Sequence, residues 1–101
     1  MMIYNVTTKV DIKVANEWLS WLKEEHIPDM VSTGCFTHAV ILKIADVDDT
    51  EGPTYAVQYH ADNNELYDQY INKFSGLMRK KTIDKWGNNF ISFRTRMTVV
   101  N

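Results

Sequence analysis

Apolar patterns typical of strands and of helices alternate along this sequence in the order strand, helix, strand, strand, helix, strand. This order is that of the split βαβ arrangement, an antiparallel four-stranded sheet with both helices on one face. We expect the two outer strands of the order to lie at the centre of that sheet, and all 101 residues to form one α+β domain. The strands are predicted at Met2 to Val10, Phe36 to Ala45, Thr54 to Ala61 and Phe90 to Val100.

The first helix is predicted from about Val14 to Glu25, with Asp11 as its cap and Pro28 forcing a break or restart near Ile27. Its apolar positions recur at helical spacing; they are Ala15, Trp18, Leu19 and Leu22. The second helix is predicted to begin at Asn63 or Asn64, to be interrupted at Ser75-Gly76 and to end at Gly87.

Composition narrows the class of protein. The chain is 45% hydrophobic and 24% charged, as in an ordinary globular domain, and its formal charge of -2 argues against a nucleic-acid partner. Cys35 is the only cysteine, so no intramolecular disulfide can form. No signal-peptide pattern or membrane-spanning apolar run is present, and we expect a cytoplasmic protein without a membrane partner.

Alternation within the strands predicts which side chains face the helices. The set assigned to the helix-covered face is Tyr4, Val6, Tyr55, Val57, Tyr59, Ile91, Phe93 and Met97. The set assigned to the open face is Ile3, Asn5, Thr7, Ala56, Gln58, His60, Ser92, Arg94 and Arg96. For the second strand both faces fit the pattern. An open face on so apolar a sheet predicts a second copy packed against it, with a cavity between the two sheets.

The aromatic helix running into Glu25-His26-Ile27-Pro28, followed by Gly34-Cys35-Phe36, resembles the dimeric α/β-barrel superfamily of ferredoxin-like proteins. Over its full length the chain is similar to a short bacterial family known only as a domain of unknown function. The resemblance implies a homodimer with its sheets face to face. Superfamily relatives include cofactor-free monooxygenases and haem-degrading enzymes. Because these activities differ, the resemblance gives only weak support for any one of them. The haem-degrading relatives use an asparagine, a tryptophan and a histidine together. This chain has those residue types at Asn5, Trp86 and His60, but their positions do not match the motif.

Five polar residues form the predicted ligand-binding constellation, because neighbouring strands would bring them onto one open face: Asn5, Gln58, His60, Arg94 and Arg96. Buried arginines there would need an anionic partner. His26 has two interpretations, a group satisfying the last helix carbonyls or a ligand-facing imidazole. Trp18, Trp21 and Trp86 are assigned to packing or to the interface, with stacking on a ligand as the alternative.

Metal and cofactor binding are not expected. The acidic loop from Asp46 to Glu51 lacks the spacing of a calcium loop, and His26, His38 and His60 are dispersed along the sequence. Arg79-Lys80-Lys81 is interpreted as a solvated helix face.

The sequence therefore predicts a homodimer that binds a small anionic or aromatic molecule between its sheets, and leaves open whether it is an enzyme. The alternatives are a dimerisation module without a ligand and a haem-binding or cofactor-free monooxygenase-like enzyme.

Overall fold

The computed structural model describes residues 1–101 and contains one four-stranded antiparallel sheet. The strands are β1 (Met2–Val10), β2 (His38–Lys43), β3 (Thr54–Ala61) and β4 (Phe90–Thr98), in the order β2-β3-β1-β4. This topology confirms the predicted fold class. The expectation that both outer strands are central was wrong for β4, which pairs only with β1 and lies at an edge, whereas β1 and β3 are central.

The first helical region consists of α1 (Ala15–Trp21), a five-residue π-helical turn (Leu22–His26) and α2 (Ile27–Ser32). In the turn, the backbone N–H of Ile27 donates to the carbonyl of Leu22, five residues earlier. Pro28 has no N–H and its ring would crowd the carbonyl four residues before it, so the wider turn accommodates it. The helical backbone therefore restarts at Ile27 as α2 and continues to Ser32.

The predicted cap of the first helix was wrong. Val14 occupies the cap position of α1, and no side chain caps it. Asp11 instead accepts a hydrogen bond from the backbone N–H of Lys13 at 2.9 Å, which closes a turn before the helix begins.

The second helical region consists of α3 (Asn64–Lys73) and α4 (Ser75–Trp86). Asn63 is the cap of α3, and its side-chain oxygen accepts from the backbone N–H of Leu66 at 2.9 Å. The interruption between the helices falls at Phe74, one residue before the predicted position. No helix of the structure has the length and apolar content needed to cross a membrane.

Both helical regions pack on one face of the sheet and form the core there. The buried core side chains from the strands are Met2, Tyr4, Val10, Val57, Tyr59 and Ala61, and those from the helical regions are Ala15, Trp18, Leu22, Met30, Tyr70, Met78 and Trp86. Cross-strand pairs such as Tyr4 with Tyr59 point toward the helices, because directly paired residues project to the same face.

The register of β4 reverses the predicted faces of that strand. Tyr4 is paired with Arg96, Val6 with Arg94 and Thr8 with Ser92, so these three β4 residues lie on the helix side. Ile91, Phe93 and Met97 lie on the open face, and their assignment to the helix-covered face was wrong. A one-residue offset in a strand exchanges every side chain between the two faces.

The open face is consequently more apolar than the sequence predicted. Phe93 is 62% exposed and Ile91 is 75% exposed on β4, and Val40 and Leu42 of β2 are exposed at the opposite edge of the same face. The ambiguous strand β2 is also assigned by its pairing: His38, Val40 and Leu42 are paired with open-face residues of β3, whereas Ala39 and Ile41 face the helices. Large exposed apolar side chains on one sheet face mark a surface suited to association.

Candidate functional site

A cavity of about 320 Å³ lies between the helical regions and the sheet. Its lining comes from distant parts of the sequence: β1, the first helical region, β3, the second helical region and β4. Twelve of the 18 lining residues are hydrophobic. An apolar cavity of this size with a few convergent polar groups is typical of a small-molecule site.

Aromatic side chains build much of the wall. Trp18 is 3% exposed and stacks on Tyr55, with ring centroids 5.7 Å apart and planes at 21°. Its Nε1 atom is buried without a hydrogen-bond acceptor in the protein. Trp21 lies beside Trp18, with centroids 6.5 Å apart, and also lines the cavity. These faces can stack on a planar ligand.

Two arginines supply positive charge to the cavity. Arg79 of α4 and Arg94 of β4 both line it and are exposed, which places their side chains toward its solvent-facing rim. Neither guanidinium has a carboxylate within 4.0 Å, in contrast to Arg96, which lies 3.9 Å from Asp68. Arg94 donates from Nε to the hydroxyl of Tyr4 at 2.8 Å, which leaves its terminal amino groups without a protein acceptor.

The hydroxyl of Tyr70 lies within the electrostatic reach of both arginines. Burial and the neighbouring Tyr4 raise the pKa of Tyr70, and the charges of Arg79 and Arg94 act in the opposite direction. Burial likewise raises the pKa of Tyr59, so both phenols are neutral donors at physiological pH. Tyr59 and Tyr70 line the same cavity. The cavity thus combines two cations at its rim with neutral hydroxyl groups on buried lining residues, a set suited to binding an anionic oxygen.

His26 joins the cavity from the end of the π-helical turn. Its ring stacks on Trp21 with centroids 4.6 Å apart and planes at 21°. Burial lowers the pKa of His26 to about 4, against a smaller upward effect of Asp29 and a further downward effect of Lys81. The imidazole is therefore neutral at pH 7 and presents one donor and one acceptor nitrogen. The ligand-facing interpretation of His26 stays a prediction, and the ring does line the cavity.

The predicted ligand-binding constellation is divided between the two faces of the sheet. Asn5, Gln58 and His60 lie on the open face, where the Nδ2 of the 7% exposed Asn5 donates to Thr7 at 3.0 Å. The expectation that Arg94 and Arg96 share this face was wrong because of the β4 register. Arg96 lies over the ring of Tyr67 at 4.7 Å and does not line the cavity. Of the residues predicted to bind a ligand, only Arg94 and His26 line the helix-side cavity.

Several cavity residues were missed by sequence reasoning. Arg79 was interpreted as part of a solvated helix face, yet it follows the buried Met78 and lies about one turn from Thr82 and Ile83, which line the cavity with it. Its spacing of three and four residues from Thr82 and Ile83 is the signal that could have placed Arg79 on the same helix face as these two. Tyr70 was assigned to the apolar stripe, and nothing in the sequence indicated that its hydroxyl lies near Arg79 and Arg94.

The residue types noted for haem-degrading relatives do not converge. Trp86 is 6% exposed, belongs to the helix-side core and meets Trp21 edge-on at 5.7 Å. Asn5 and His60 project from the opposite side of the sheet. No common site can be built from these three side chains.

The fold is shared with solved structures of low sequence identity. Two dimeric ferredoxin-like proteins from uncultured marine organisms are similar to the chain, one at 18% identity with a TM-score of 0.68, covering 100% of this chain and 96% of the other. The second is 10% identical with a TM-score of 0.72, covering 99% and 97%. A protein of Arabidopsis thaliana is 11% identical with a TM-score of 0.69, covering 100% and 99%. These similarities show a ferredoxin-like fold.

No curated protein matches the sequence. One family model does, over residues 1–100, and its description is a domain of unknown function, DUF4286. Because the match extends over almost the entire chain, the protein belongs to the DUF4286 family.

Proposed function

We propose that this protein is a homodimer in which each protomer binds a small molecule with a planar apolar body and an anionic group. The binding site is the cavity between the helical regions and the sheet. The observation that carries the proposal is the convergence on one aromatic-walled cavity of Arg79 and Arg94, neither of which has a carboxylate partner in the protein.

The chemistry of the cavity argues for this ligand class. Trp18 and Trp21 offer aromatic surface for a planar body, while the terminal amino groups of Arg94 and the guanidinium of Arg79 suit a carboxylate or a similar oxyanion. Neutral His26 adds a hydrogen-bonding group without adding charge. The proposed site is therefore not the cavity between two sheets that the sequence predicted. It lies on the helix side of the sheet, where the two arginines and the two tryptophans line one cavity.

Association through the open sheet face is supported by its exposed apolar residues. The chain leaves apolar side chains uncovered at both edges of this face: Ile91 and Phe93 on β4, and Val40 and Leu42 on β2. Two of the structurally similar proteins are described as dimeric. A second copy is the occupant that the proposal assigns to this face. The single cysteine, buried and free, is consistent with a reducing cytoplasm.

The ligand proposal is tested with matched acids and amides. We expect benzoate, salicylate or indole-3-acetate to raise the midpoint of thermal unfolding, and the corresponding uncharged amides to raise it less, because a ligand of the native state stabilises it by mass action. Titration followed by NMR is expected to shift the signals of the Trp18 and Trp21 indole N–H groups.

Variants separate the cavity from general charge. Arg94→Gln and Arg79→Gln are expected to weaken binding of the acids about tenfold each, since each removes one charge-assisted contact. Arg96→Gln is the matched control, because Arg96 is a neighbouring arginine on the same side of the sheet that does not line the cavity. Equal losses in all three variants would show that the acids bind through general charge and not in the cavity. No binding across a broad panel of acids would favour a dimerisation module without a ligand.

A further inference from the structure

The hydroxyl of Tyr59 reaches the helix-side cavity without a hydrogen-bond partner in the protein. Tyr59 is 2% exposed and lines the cavity from β3. No hydrogen bond within the chain uses its hydroxyl. The polar side-chain atoms that the protein encloses without a partner are Asn5 Oδ1, Trp18 Nε1 and Trp86 Nε1, and the Tyr59 hydroxyl is not one of them. It therefore keeps accessible surface, and the space next to this residue is the cavity.

The ring of Tyr59 is held in place by aromatic neighbours. Its centroid lies 5.6 Å from that of Phe36 and 6.0 Å from that of Tyr4. Phe36 is 3% exposed and does not line the cavity, so it supports the Tyr59 ring from within the core. A side chain that is already fixed by packing loses little conformational freedom when a ligand binds. The Tyr59 hydroxyl is thus positioned before any ligand arrives.

Tyr59 lies farther from the cations of the cavity than the other buried phenol does. β1 separates β3 from β4, and neighbouring strands are about 4.7–4.9 Å apart, so the backbones that carry Tyr59 and Arg94 are separated by about 10 Å. Tyr4 of β1 lies between them, as the direct partner of Tyr59 and the acceptor for Nε of Arg94. Burial is the main cause that raises the pKa of both Tyr59 and Tyr70, and the arginine charges oppose it only at Tyr70.

The chemistry of a neutral phenol defines what can bind to it. Because burial raises the pKa of Tyr59, its proton stays in place at pH 7 and the hydroxyl donates one hydrogen bond without bringing charge. The apolar side chains of Leu22, Met30 and Val57 line the same cavity. An anionic oxygen at Tyr59 would be buried there without a cation, whereas a carbonyl oxygen carries no charge to desolvate. An uncharged acceptor is therefore the better partner.

We propose that Tyr59 is a specificity-determining residue, which donates a hydrogen bond to an uncharged acceptor oxygen of the ligand. This role rests on the function proposed above and defines the ligand class more closely. The ligand is a planar acid with two recognition points, an anionic group at Arg79 and Arg94 and a carbonyl oxygen at its other end. The separation of β3 from β4 suits an acid whose two groups stand on opposite ends of an aromatic ring.

Two acids of the same shape test the hydrogen bond. The ketone 4-acetylbenzoate carries an oxygen opposite its carboxylate, and 4-isopropenylbenzoate has a methylene group in place of that oxygen. We expect isothermal titration to show about three- to tenfold tighter binding of the ketone, the factor that one net hydrogen bond contributes. The infrared carbonyl band of the bound ketone should move to lower frequency, because the carbonyl accepts a hydrogen bond.

Tyr59→Phe keeps the ring and removes only the hydroxyl. Since that hydroxyl makes no hydrogen bond within the chain, the variant is expected to fold, which circular dichroism checks. It should lose the preference for the ketone and the shift of the carbonyl band, while both acids still bind. Tyr55→Phe is the matched control, because Tyr55 lies on the same strand and the same face, stacked on Trp18, and does not line the cavity. This variant should keep the preference.

Each other result contradicts the role of Tyr59 in a recognisable way. Equal binding of the two acids by the unaltered protein, a preference that survives Tyr59→Phe, or one that Tyr55→Phe also removes, overturns the role and leaves acid binding in place. If benzoate binds and neither substituted acid does, the cavity does not admit a group that extends from the arginines to Tyr59, and the role is again wrong. If none of the three acids binds, the proposed function is wrong as well.

Discussion

Arg94 donates a hydrogen bond of 2.8 Å from its Nε to the hydroxyl of Tyr4. The contact requires both side chains to project from the same face of the sheet, and Tyr4 belongs to the helix-side core. It is consistent with a β4 register in which Arg94 is paired with Val6 and Phe93 with Thr7. The same register that brings a cation to the cavity exposes Phe93 on the other face.

Phe93→Glu is expected to dissociate the proposed dimer without unfolding the protomer. Phe93 is 62% exposed in the chain, so a carboxylate there disturbs little within one protomer, but it would be unfavourable in an apolar interface. Light scattering over a range of concentrations measures the change. Arg96→Glu places the same carboxylate on the opposite face of β4 and should leave the assembly intact. A Phe93→Glu protein that remains dimeric would place the interface elsewhere.

Acidification is expected to destabilise the fold through His26. Its folded-state pKa of about 4 lies below the ordinary value of 6.5, so the unfolded chain binds the proton first as the pH falls. Stability from this group is complete above about pH 6.5 and is lost progressively toward pH 4, with a loss of about 2 kcal/mol by pH 5.

Urea unfolding at pH 7 and pH 5 measures this loss for the protein and for His26→Phe, which preserves an aromatic ring against Trp21. The variant is expected to show a smaller difference between the two pH values. An unchanged difference would show that His60, whose pKa is also lowered, or other groups account for it.

Trp18→Ala is expected to lower the free energy of unfolding by about 3–5 kcal/mol, because it removes a large side chain that is 3% exposed. Trp18→Phe should cost about 1–2 kcal/mol. The indole Nε1 has no acceptor in the protein, so the phenylalanine variant loses volume and no internal hydrogen bond. Chemical denaturation compares the two. Similar losses in both variants would indicate that the Nε1 group is itself stabilising.

Gly52→Ala is expected to be strongly destabilising, by more than about 3 kcal/mol, since an added Cβ would lie 1.7 Å from the carbonyl oxygen of Val10. Gly52 also has a φ of 148°, which other residues rarely adopt. Gly76→Ala is the matched control. Gly76 lies within α4 with open space around it, and alanine there should stabilise by about 0.5–1 kcal/mol. Thermal unfolding checks both variants: the unfolding midpoint should fall for Gly52→Ala and rise for Gly76→Ala.

The central strands β1 and β3 could be predicted residue for residue, whereas the edge strands β2 and β4 could not be oriented. Tyr4, Val57 and Tyr59 mark the helix side of β1 and β3 because both strands bury one face against the core. On β4 the same rule assigned the apolar Phe93 to the core and Arg94 to the outside. Hydrophobicity identifies side chains that avoid water, and it does not distinguish the core of one protomer from a surface suited to a partner.

Pro28 illustrates a second limit. Its chemistry predicts a disturbed helix near Ile27, and α2 does begin there. The form of the disturbance, a π-helical turn that carries His26 onto Trp21, depends on how both helices pack against the sheet. Local sequence identifies the lost backbone hydrogen bond, and packing decides how the chain accommodates it.

By itself, the sequence determined the order of strands and helices, the ferredoxin-like fold and the open sheet face, because apolar periodicity and helix-ending residues act locally. The tertiary structure alone decided that Arg79 and Arg94 converge with His26 on one cavity, and that Tyr59 lines the same cavity. Those groups come from segments far apart in the chain, and the register of paired strands and the packing of helices set their distances.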